Sequence, residues 1–380
     1  MGARTQWRLS HGLFSSNGID EGTGLLLKTL ASEIPLDSCA SLLDIGCGIG
    51  IIGGALKKRF PQIAVTLQDR DALALHFTHQ NFKLNKMEYE RLVGDTALED
   101  VCGGFDLIVS NIPAKAGEPV IRNTIKRLPS YLNQNGVAAV VVISALKDTV
   151  STAIITSGYA IKYQEHTPRY TVFHFVTKDG RQPSEPEASG LTPYFRGEAA
   201  VNEDGISYRL STVYNIDEFD TVSYATHTLF SVLKRTAVAA PVGVYNPGQG
   251  HAPVFLAKKA GKKAAPISLF SRDILSLKTS AYNLAASSFE SKQVHLPFPD
   301  ISGCEASSLG YLCVFPEKIP GVPPDEYWTF TVHSLAKSGF VSFSAPSAHI
   351  HQITKSKPRG FILKSSVKYR GSRTVLFQKG

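Results

Sequence analysis

A glycine-rich turn follows the first strongly apolar stretch of the chain. The segment LLDIGCGIG, residues 42–50, places Asp44 at the end of a predicted strand, and Gly46, Gly48 and Gly50 in the turn before a predicted helix. Glycine adopts the positive φ angles that such a turn needs, and it lets the backbone approach a ligand closely. The free N–H groups at the start of the helix can bind a carboxylate or a phosphate. The pattern predicts a ligand-binding turn.

Two cofactors fit this turn. Gly48-x-Gly50-x-x-Gly53 satisfies the dinucleotide fingerprint, and Asp69 lies 19 residues after Gly50, where it can accept ribose hydroxyl groups. The same residues suit S-adenosylmethionine, with Asp69 on the ribose and the turn around the methionine moiety. A tight turn that binds no ligand is the third interpretation, because the glycine pattern alone has low specificity.

Two more polar positions follow later predicted strands. Asp95 ends the segment Val93-Gly94-Asp95, where its carboxylate can accept a hydrogen bond from adenine N6. Asn111, Ile112 and Pro113 come directly after the strand-like run FDLIVS. Ligands of open parallel sheets bind at the carboxyl ends of the strands, so the tripeptide is expected at the reacting end of the cofactor.

The tripeptide distinguishes between the two cofactors. A hydride-transfer enzyme has no evident use for Asn-x-Pro at this position, whereas methyl transfer to a planar exocyclic amine has one. The lone pair of such an amine is delocalised into its ring, so the nitrogen is a poor nucleophile. The side-chain carbonyl of Asn111 and the backbone carbonyl of Ile112 can accept its two N–H bonds and orient it toward a methyl donor. These residues favour S-adenosylmethionine.

The first half of the chain predicts a parallel sheet covered by helices. Strand-length apolar runs alternate with helical patterns, as expected when both faces of a sheet are buried. Predicted strands cover residues 41–45, 64–68, 105–110, 137–144 and 171–176, and predicted helices cover about 50–60 and 72–84. The following segment is rich in Pro, Gly, Ser and Glu, so we expect a linker over residues 179–205 between domains 1–178 and 206–380.

An internal repeat relates the two halves. Residues 65–82 align with 267–284, and residues 42–56 align with 242–256, at a nearly constant offset of 200–203. We therefore expect two similar domains that arose by duplication. The second copy has lost the cofactor residues: Val244, Asn246 and Ser271 stand where the first copy has Asp44, Gly46 and Asp69. It is not expected to bind the cofactor.

The basic charge of the protein is concentrated in the second copy. The net charge is +8, of which residues 1–180 contribute +1 and residues 181–380 contribute +7. A cationic surface suits the phosphate backbone of a nucleic acid, and we expect Lys262, Lys263 and Lys357 to contact RNA. A solvated basic surface without a partner is the alternative.

Composition excludes several classes of protein. The longest apolar run, Val137–Ile143, is far shorter than the ~20 residues of a membrane helix, so no membrane partner is expected. The five cysteines include no CxxC pair, and the histidines form no ligand pattern, so no metal is expected. The composition fits a protein of the reducing cytoplasm, which we expect to be a monomer.

Four elements of the chain together resemble a known family. They are FSSNGIDEGTGLLL (14–27), LLDIGCGIG (42–50), Asp69 and FDLIVSNIPAKAG (105–117). In this order they are similar to the class I S-adenosylmethionine-dependent methyltransferases, over roughly residues 10–178. Within that class they most resemble the "methyltransferase small" group, which includes the ribosomal RNA guanine-N2 methyltransferases.

The resemblance implies an α/β fold with two tandem Rossmann-like domains, each a mostly parallel seven-stranded sheet with flanking helices, the second degenerate. It places Asp20 and Thr23 near the methionine end of the cofactor, and Asn111 and Pro113 in the loop that holds the amine. The family has a base-stacking aromatic residue where this chain has Ala114, and Phe14 is the candidate replacement.

The resulting expectation is S-adenosylmethionine-dependent methylation of guanine N2 in ribosomal RNA. One alternative is a methyltransferase that acts on another planar amine or amide, such as adenine N6 or a protein glutamine. Another is an RNA-binding or ribosome-assembly factor without catalysis, although the intact Asp44, Asp69 and Asn111 argue against it.

Overall fold

The computed structural model describes residues 4–10, 12–13, 18–178, 189–261, 266–319 and 322–380. The chain divides into two compact units, Met1–Tyr194 and Phe195–Gly380. Among the described residues, no helix has the length and apolar character to cross a lipid bilayer. Phe14, Lys262 and Lys263, which were predicted to bind the substrate, lie outside the described residues.

The first unit is a seven-stranded sheet with helices between the strands. Its strands are β1 (Ser41–Ile45), β2 (Ala64–Asp69), β3 (Arg91–Gly94), β4 (Phe105–Asn111), β5 (Leu132–Ile143), β6 (Tyr159–His166) and β7 (Tyr170–Thr177). Its helices are α1 (Glu21–Glu33), α2 (Ile51–Arg59), α3 (Ala72–Leu84), α4 (Glu118–Arg127) and α5 (Lys147–Thr156). The strand order is β3-β2-β1-β4-β5-β7-β6, and only β7 runs antiparallel to its neighbours. The predicted α/β class is confirmed.

The second unit repeats this sheet. Its strands are β10 (Val242–Tyr245), β11 (Ile267–Ser271), β12 (Ser291–His295), β13 (Leu309–Val314), β14 (Leu335–Pro346), β15 (Phe361–Tyr369) and β16 (Ser372–Lys379). Its helices are α6 (Tyr224–Leu233), α7 (His251–Ala260), α8 (Ile274–Ala286), α9 (Asp325–Ser334) and α10 (Ser347–Lys355). The order β12-β11-β10-β13-β14-β16-β15 matches that of the first unit strand for strand.

Part of the predicted linker is a strand. Residues Phe195–Glu203 form β8, which pairs antiparallel with β9 (Ile206–Val213) at the start of the second unit. One face of β8 is exposed and carries polar residues such as Glu198 and Asn202, whereas Ala199 and Val201 are half-buried. The polar face gave this segment the composition of a linker, although its backbone hydrogen bonds are satisfied by β9.

A buried asparagine has the same structural role in each unit, which explains why the repeat is visible in the sequence. In the first unit, Asn81 accepts a hydrogen bond from Arg8 N–H at 2.7 Å and donates to the carbonyl oxygens of Arg8 and Ile49. Its counterpart Asn283 makes the same three bonds, to the N–H and carbonyl groups of Ser211 and to the carbonyl of Gln249. Each asparagine ties an N-terminal segment and the glycine turn to one helix.

The two aspartates that the repeat aligns also have a local structural role, which explains why both copies keep them. Asp71 caps α3 by accepting from Leu73 N–H, and Asp273 caps α8 by accepting from Leu275 N–H. A carboxylate at this position satisfies an amide that the helix itself leaves without a partner. The structure therefore supports the predicted alignment of the two copies in register.

Candidate active site

Four polar side chains lie at one edge of the first sheet. Asp95, Asp69, Asp44 and Asn111 stand at or next to the carboxyl ends of β3, β2, β1 and β4, which are adjacent in the sheet. These strands are parallel, so their carboxyl ends meet at the same edge, where ligands of such sheets bind. The sequence-predicted cofactor acids and the amine-holding loop are thus brought together.

The glycine turn leaves room above this edge. Gly46, Gly48 and Gly50 have φ angles of +68°, +57° and +85°. A Cβ added at Gly46 or Gly48 would meet no atom of the described residues within 4 Å, whereas one at Gly50 would lie 3.0 Å from Thr78 Cγ2. Gly50 is therefore required for packing as well as for its φ angle, while Gly46 and Gly48 expose their backbone to a ligand.

Asp44 is a fully buried carboxylate beneath this turn. Its Oδ2 accepts a hydrogen bond from Gly53 N–H at 2.8 Å, and its buried Oδ1 has no hydrogen-bond partner within the described part of the chain. Burial raises the pKa of Asp44 to about 7, against the opposing effect of the Gly53 bond and with a further increase from the charge of Asp69. A cationic or hydrogen-donating ligand would strongly stabilise the ionised form of such a carboxylate.

Asp69 is held in a fixed orientation at the end of β2. Its Oδ2 accepts from Gly48 N–H at 2.9 Å, and its Oδ1 accepts from Asp71 N–H at 2.9 Å. A carboxylate oxygen accepts more than one hydrogen bond, so both oxygens keep the capacity to bind hydroxyl groups. This geometry suits the two hydroxyls of a ribose.

Asp95 begins a loop that a neighbouring strand holds in place. Its Oδ1 accepts from Thr96 N–H at 2.6 Å. The buried Gln68 donates to the carbonyls of Thr96 and Glu99, and its Oε1 accepts from Leu98 N–H. Sequence reasoning missed Gln68; the signal was an amide inside an otherwise apolar strand, directly before Asp69.

Arg127 of α4 supports the same loop from the other side. It is 5% exposed, and its guanidinium bonds Glu99 at 2.6 Å and the carbonyl of Leu98 at 3.3 Å. Tyr131 also donates to the Leu98 carbonyl, at 2.9 Å. The sequence carries no sign of these contacts, because they join residues about 30 positions apart.

Asn111 is oriented by the start of helix α1. Its Nδ2 donates to Asp20 Oδ2 at 2.9 Å and to Thr23 Oγ1 at 3.0 Å. An ionised carboxylate only accepts hydrogen bonds, so the amide nitrogen, and not its oxygen, must lie against Asp20. The Oδ1 atom is thereby left to accept from a ligand. Asp20 and Thr23, predicted as cofactor contacts, lie against the amide of Asn111.

Asp20 is itself fixed by two further groups. Its Oδ2 also accepts from Thr23 N–H, which caps α1, and its Oδ1 accepts from the Tyr170 hydroxyl at 2.9 Å. A Cβ at Gly22 would lie 2.8 Å from the ring of Tyr170, so glycine is required for this approach. Tyr170 is a site residue that sequence reasoning missed, because 150 residues separate it from Asp20.

The rest of the amine-holding loop is anchored through its backbone. Ile112 N–H donates to the Val141 carbonyl at 3.0 Å, and the Ile112 side chain is buried. Pro113 and Ala114 are exposed. The loop therefore follows β4 in a fixed position and presents its next residues to solvent.

Lys357, a predicted RNA contact, has a different environment from the one expected. Its ammonium donates to the carbonyls of Phe361 at 2.8 Å and Pro358 at 3.3 Å. A phosphate would compete with these two bonds. The contact to RNA remains a prediction for this residue, and its local role is to close the turn before β15.

The same edge of the second unit is closed by its own side chains. Asn246 donates to the Phe315 carbonyl at 2.8 Å and accepts from the Ser271 hydroxyl at 3.2 Å, which links the ends of β10, β11 and β13. Arg272 and Glu317 form an ion pair at 2.7 Å beside them. Val244 and Ser271 replace the two acids of the first unit. This edge supports the expectation that the second copy binds no cofactor.

Comparison with known proteins finds similarity over the first unit. Residues 5–174 match the family described as "Methyltransferase small domain". The chain is 37% identical over 129 residues to the ribosomal RNA small subunit methyltransferase C of Haemophilus influenzae strain PittGG, covering 33% of this chain and 38% of that protein. It is 41% identical over 106 residues to the Pasteurella multocida protein of the same name, covering 28% of this chain and 31% of that protein. The matches thus span only about a third of the length of these curated relatives.

A solved structure shares the fold of the whole chain. It is the 16S rRNA N2 G1207 methyltransferase of Thermus thermophilus, solved in complex with AdoMet and guanosine. The match covers 100% of this chain and 96% of that one, with a TM-score of 0.68 and 15% sequence identity. This similarity agrees with the two-sheet architecture described above.

The raised pKa of Asp44 predicts a pH dependence of stability. The pKa in the folded protein is about 7 against an ordinary 3.8, so folding favours the protonated acid. The free energy of unfolding should fall as the pH rises from about 4 to about 7, by roughly 4 kcal/mol for this group. In Asp44→Asn this decrease should disappear, as measured by urea unfolding between pH 4 and pH 8. The exposed Asp37→Asn is the control, and parallel pH profiles for Asp44→Asn and the wild type would contradict the assignment.

Proposed function

We propose that this chain, whose residues 5–174 match the "Methyltransferase small domain" family, methylates the N2 amine of a guanine in ribosomal RNA with S-adenosylmethionine. The observation that carries the proposal is the orientation of Asn111, whose Nδ2 is bound by Asp20 and Thr23 so that Oδ1 can accept from an amine. The names of the curated relatives and the guanosine complex of the Thermus protein agree with this substrate.

The edge of the first sheet fits S-adenosylmethionine. Asp69 would bind the ribose hydroxyls, Asp95 the adenine amine, and the turn at Gly46 and Gly48 the methionine portion. The orphaned Oδ1 of buried Asp44 is matched to a donor such as the cofactor's ammonium group. When bound, the cofactor supplies a methyl group made electrophilic by its sulfonium.

The residues of this chain act on the amine. The lone pair of guanine N2 is delocalised into the ring, so the nitrogen must be held with that lone pair aimed at the methyl carbon. Asn111 Oδ1 and the Ile112 carbonyl would accept its two N–H bonds, and both become stronger as positive charge develops on nitrogen. The methylated nitrogen is acidic and releases its proton to water, so no strong base is required.

The remaining assignments follow from this substrate. We place the protein in the cytoplasm as a monomer, where it would meet ribosomal RNA. The basic second unit, with no cofactor acids at its sheet edge, would bind the RNA while the first unit performs the transfer. Mass spectrometry of nucleosides from treated ribosomal RNA tests the substrate directly: N2-methylguanosine supports it, and N6-methyladenosine or no product refutes it.

Removal of the Asn111 side chain should separate catalysis from cofactor binding. For Asn111→Ala we expect kcat to fall about 100- to 1,000-fold, because this variant lacks an interaction that strengthens in the transition state. The Kd for S-adenosylmethionine, measured by calorimetry, should stay within about twofold of the wild type. The exposed Asn202→Ala is the matched control, and normal turnover by Asn111→Ala would refute the proposed geometry.

Tyr170 should act through Asp20 as a positioning residue. Tyr170→Phe removes the bond to Asp20 Oδ1, and removal of one such bond, about 1 kcal/mol, predicts a roughly fivefold lower kcat. KM and the Kd for the cofactor should be nearly unchanged. Tyr163→Phe, which removes a comparable hydroxyl bond to Glu165, is the control. An equal decrease of kcat in both variants would point to a general structural effect.

The protein should bind one cofactor per chain. Asp69→Ala is expected to weaken binding about 10- to 100-fold, because it removes hydrogen bonds to a charged group. Ser271→Ala, at the equivalent position of the second unit, should leave the stoichiometry and Kd unchanged. Isothermal calorimetry measures both, and a stoichiometry of two would show that the second sheet edge also binds the cofactor.

A further inference from the structure

The last segment of the chain is basic throughout. Residues 327–380 contain nine lysines and arginines and no aspartate or glutamate. This segment includes β15, which is one of the two edge strands of the second sheet. Lys364, Lys368 and Arg370 are exposed on or next to this strand, and within the described ranges none of them forms an ion pair.

Two exposed aromatic rings lie at the end of the same strand. Tyr224 and Tyr369 are 42% and 48% exposed, and their ring centroids are 5.7 Å apart in an edge-to-face arrangement. The Arg370 guanidinium lies 5.5 Å and 5.4 Å from the two ring centroids and donates to the Tyr224 hydroxyl at 3.1 Å. The cluster therefore combines exposed π surfaces with a positioned cation.

In the first unit, the equivalent positions at the start of α1 and on β6 carry different residues. At the position of Tyr224 it has Glu21, which forms an ion pair with Arg169. On its own edge strand β6, Glu165 forms an ion pair with Lys28 at 3.1 Å. Lys162 of β6, which like Lys364 stands at the register shift of its strand, is also exposed. The two copies share their fold, so the paired tyrosine rings with Arg370 are specific to the second copy and are not a requirement of the sheet.

We propose that the edge of β15, together with Tyr224 and Tyr369, binds single-stranded RNA. Lys364 and Lys368, about 13 Å apart along the strand, would contact phosphates, and unpaired bases would stack on the rings beside Arg370. Aromatic rings with neighbouring cations bind single strands, because paired bases in a duplex present no free faces for stacking. The proposal rests on the proposed function for its choice of RNA, and it adds this edge to the RNA contact predicted at Lys357.

Fluorescence anisotropy with a labelled single-stranded RNA oligonucleotide tests the surface in the full-length protein. The double variant Tyr224→Ala, Tyr369→Ala should bind about 5- to 100-fold more weakly, the range of base–aromatic stacking. The double variant Lys368→Gln, Arg370→Gln should also bind more weakly. Its slope of log affinity against log salt should be smaller by about 0.7 for each phosphate that the variant no longer neutralises.

Two variants of the same unit serve as controls. Lys337→Gln changes a lysine near the start of β14, at the end of that strand opposite to the Tyr224–Tyr369 cluster. Tyr282→Ala removes an exposed tyrosine of α8. Neither should change RNA affinity by more than about twofold. Wild-type affinity in the aromatic variant, equally weakened binding in the controls, or tighter binding of a duplex of the same sequence would overturn the proposal.

Measurement of binding and of methylation keeps the two proposals apart. S-adenosylmethionine affinity should be normal in every surface variant, which shows that the first unit is intact. If wild-type protein binds the RNA and forms no N2-methylguanosine, the proposed function fails while the surface stands. If it forms N2-methylguanosine and the surface variants bind RNA normally, only the surface assignment fails.

Discussion

The hydrogen bond from Asn111 Nδ2 to Asp20 is the constraint on which the proposed chemistry depends. An amide side chain can present either its nitrogen or its oxygen, and only the oxygen can hold an N–H group of the substrate. Asp20 decides between them, since its carboxylate accepts from the amide nitrogen, from Thr23 N–H and from the Tyr170 hydroxyl. This one carboxylate is fixed by the cap of α1, by the close approach at Gly22 and by the start of β7.

The two units share one fold but differ at the edge formed by the carboxyl ends of their parallel strands. In the first, a buried carboxylate and a glycine turn with open space create a polar binding edge, and the raised pKa of Asp44 shows that folding alone does not favour its charge. In the second, Asn246 and Ser271 satisfy each other and join the strand ends. Both copies keep the fold through the same contacts, such as the hydrogen bonds of Asn81 and Asn283.

The parts predicted from sequence are those encoded by short spacing. The glycine turn, Asp69, the Asn111 loop and the repeat were visible because local backbone geometry requires those residue types at fixed distances along the chain. Gln68, Arg127 and Tyr170 were missed because the site groups that they bind are 28 or more residues away. Gln68 carried a local signal, as an amide within a buried strand, whereas Arg127 and Tyr170 carried none. Strand β8 was missed because an exposed strand face carries the polar residues of a linker.

A crystal structure of the protein with S-adenosylhomocysteine and guanosine would test the central claim most directly. The account predicts guanine N2 within about 3 Å of Asn111 Oδ1, with Asn111 Nδ2 still bound to Asp20. An amine held elsewhere on the edge of the sheet, or an Asn111 amide turned so that its oxygen lies against Asp20, would contradict it.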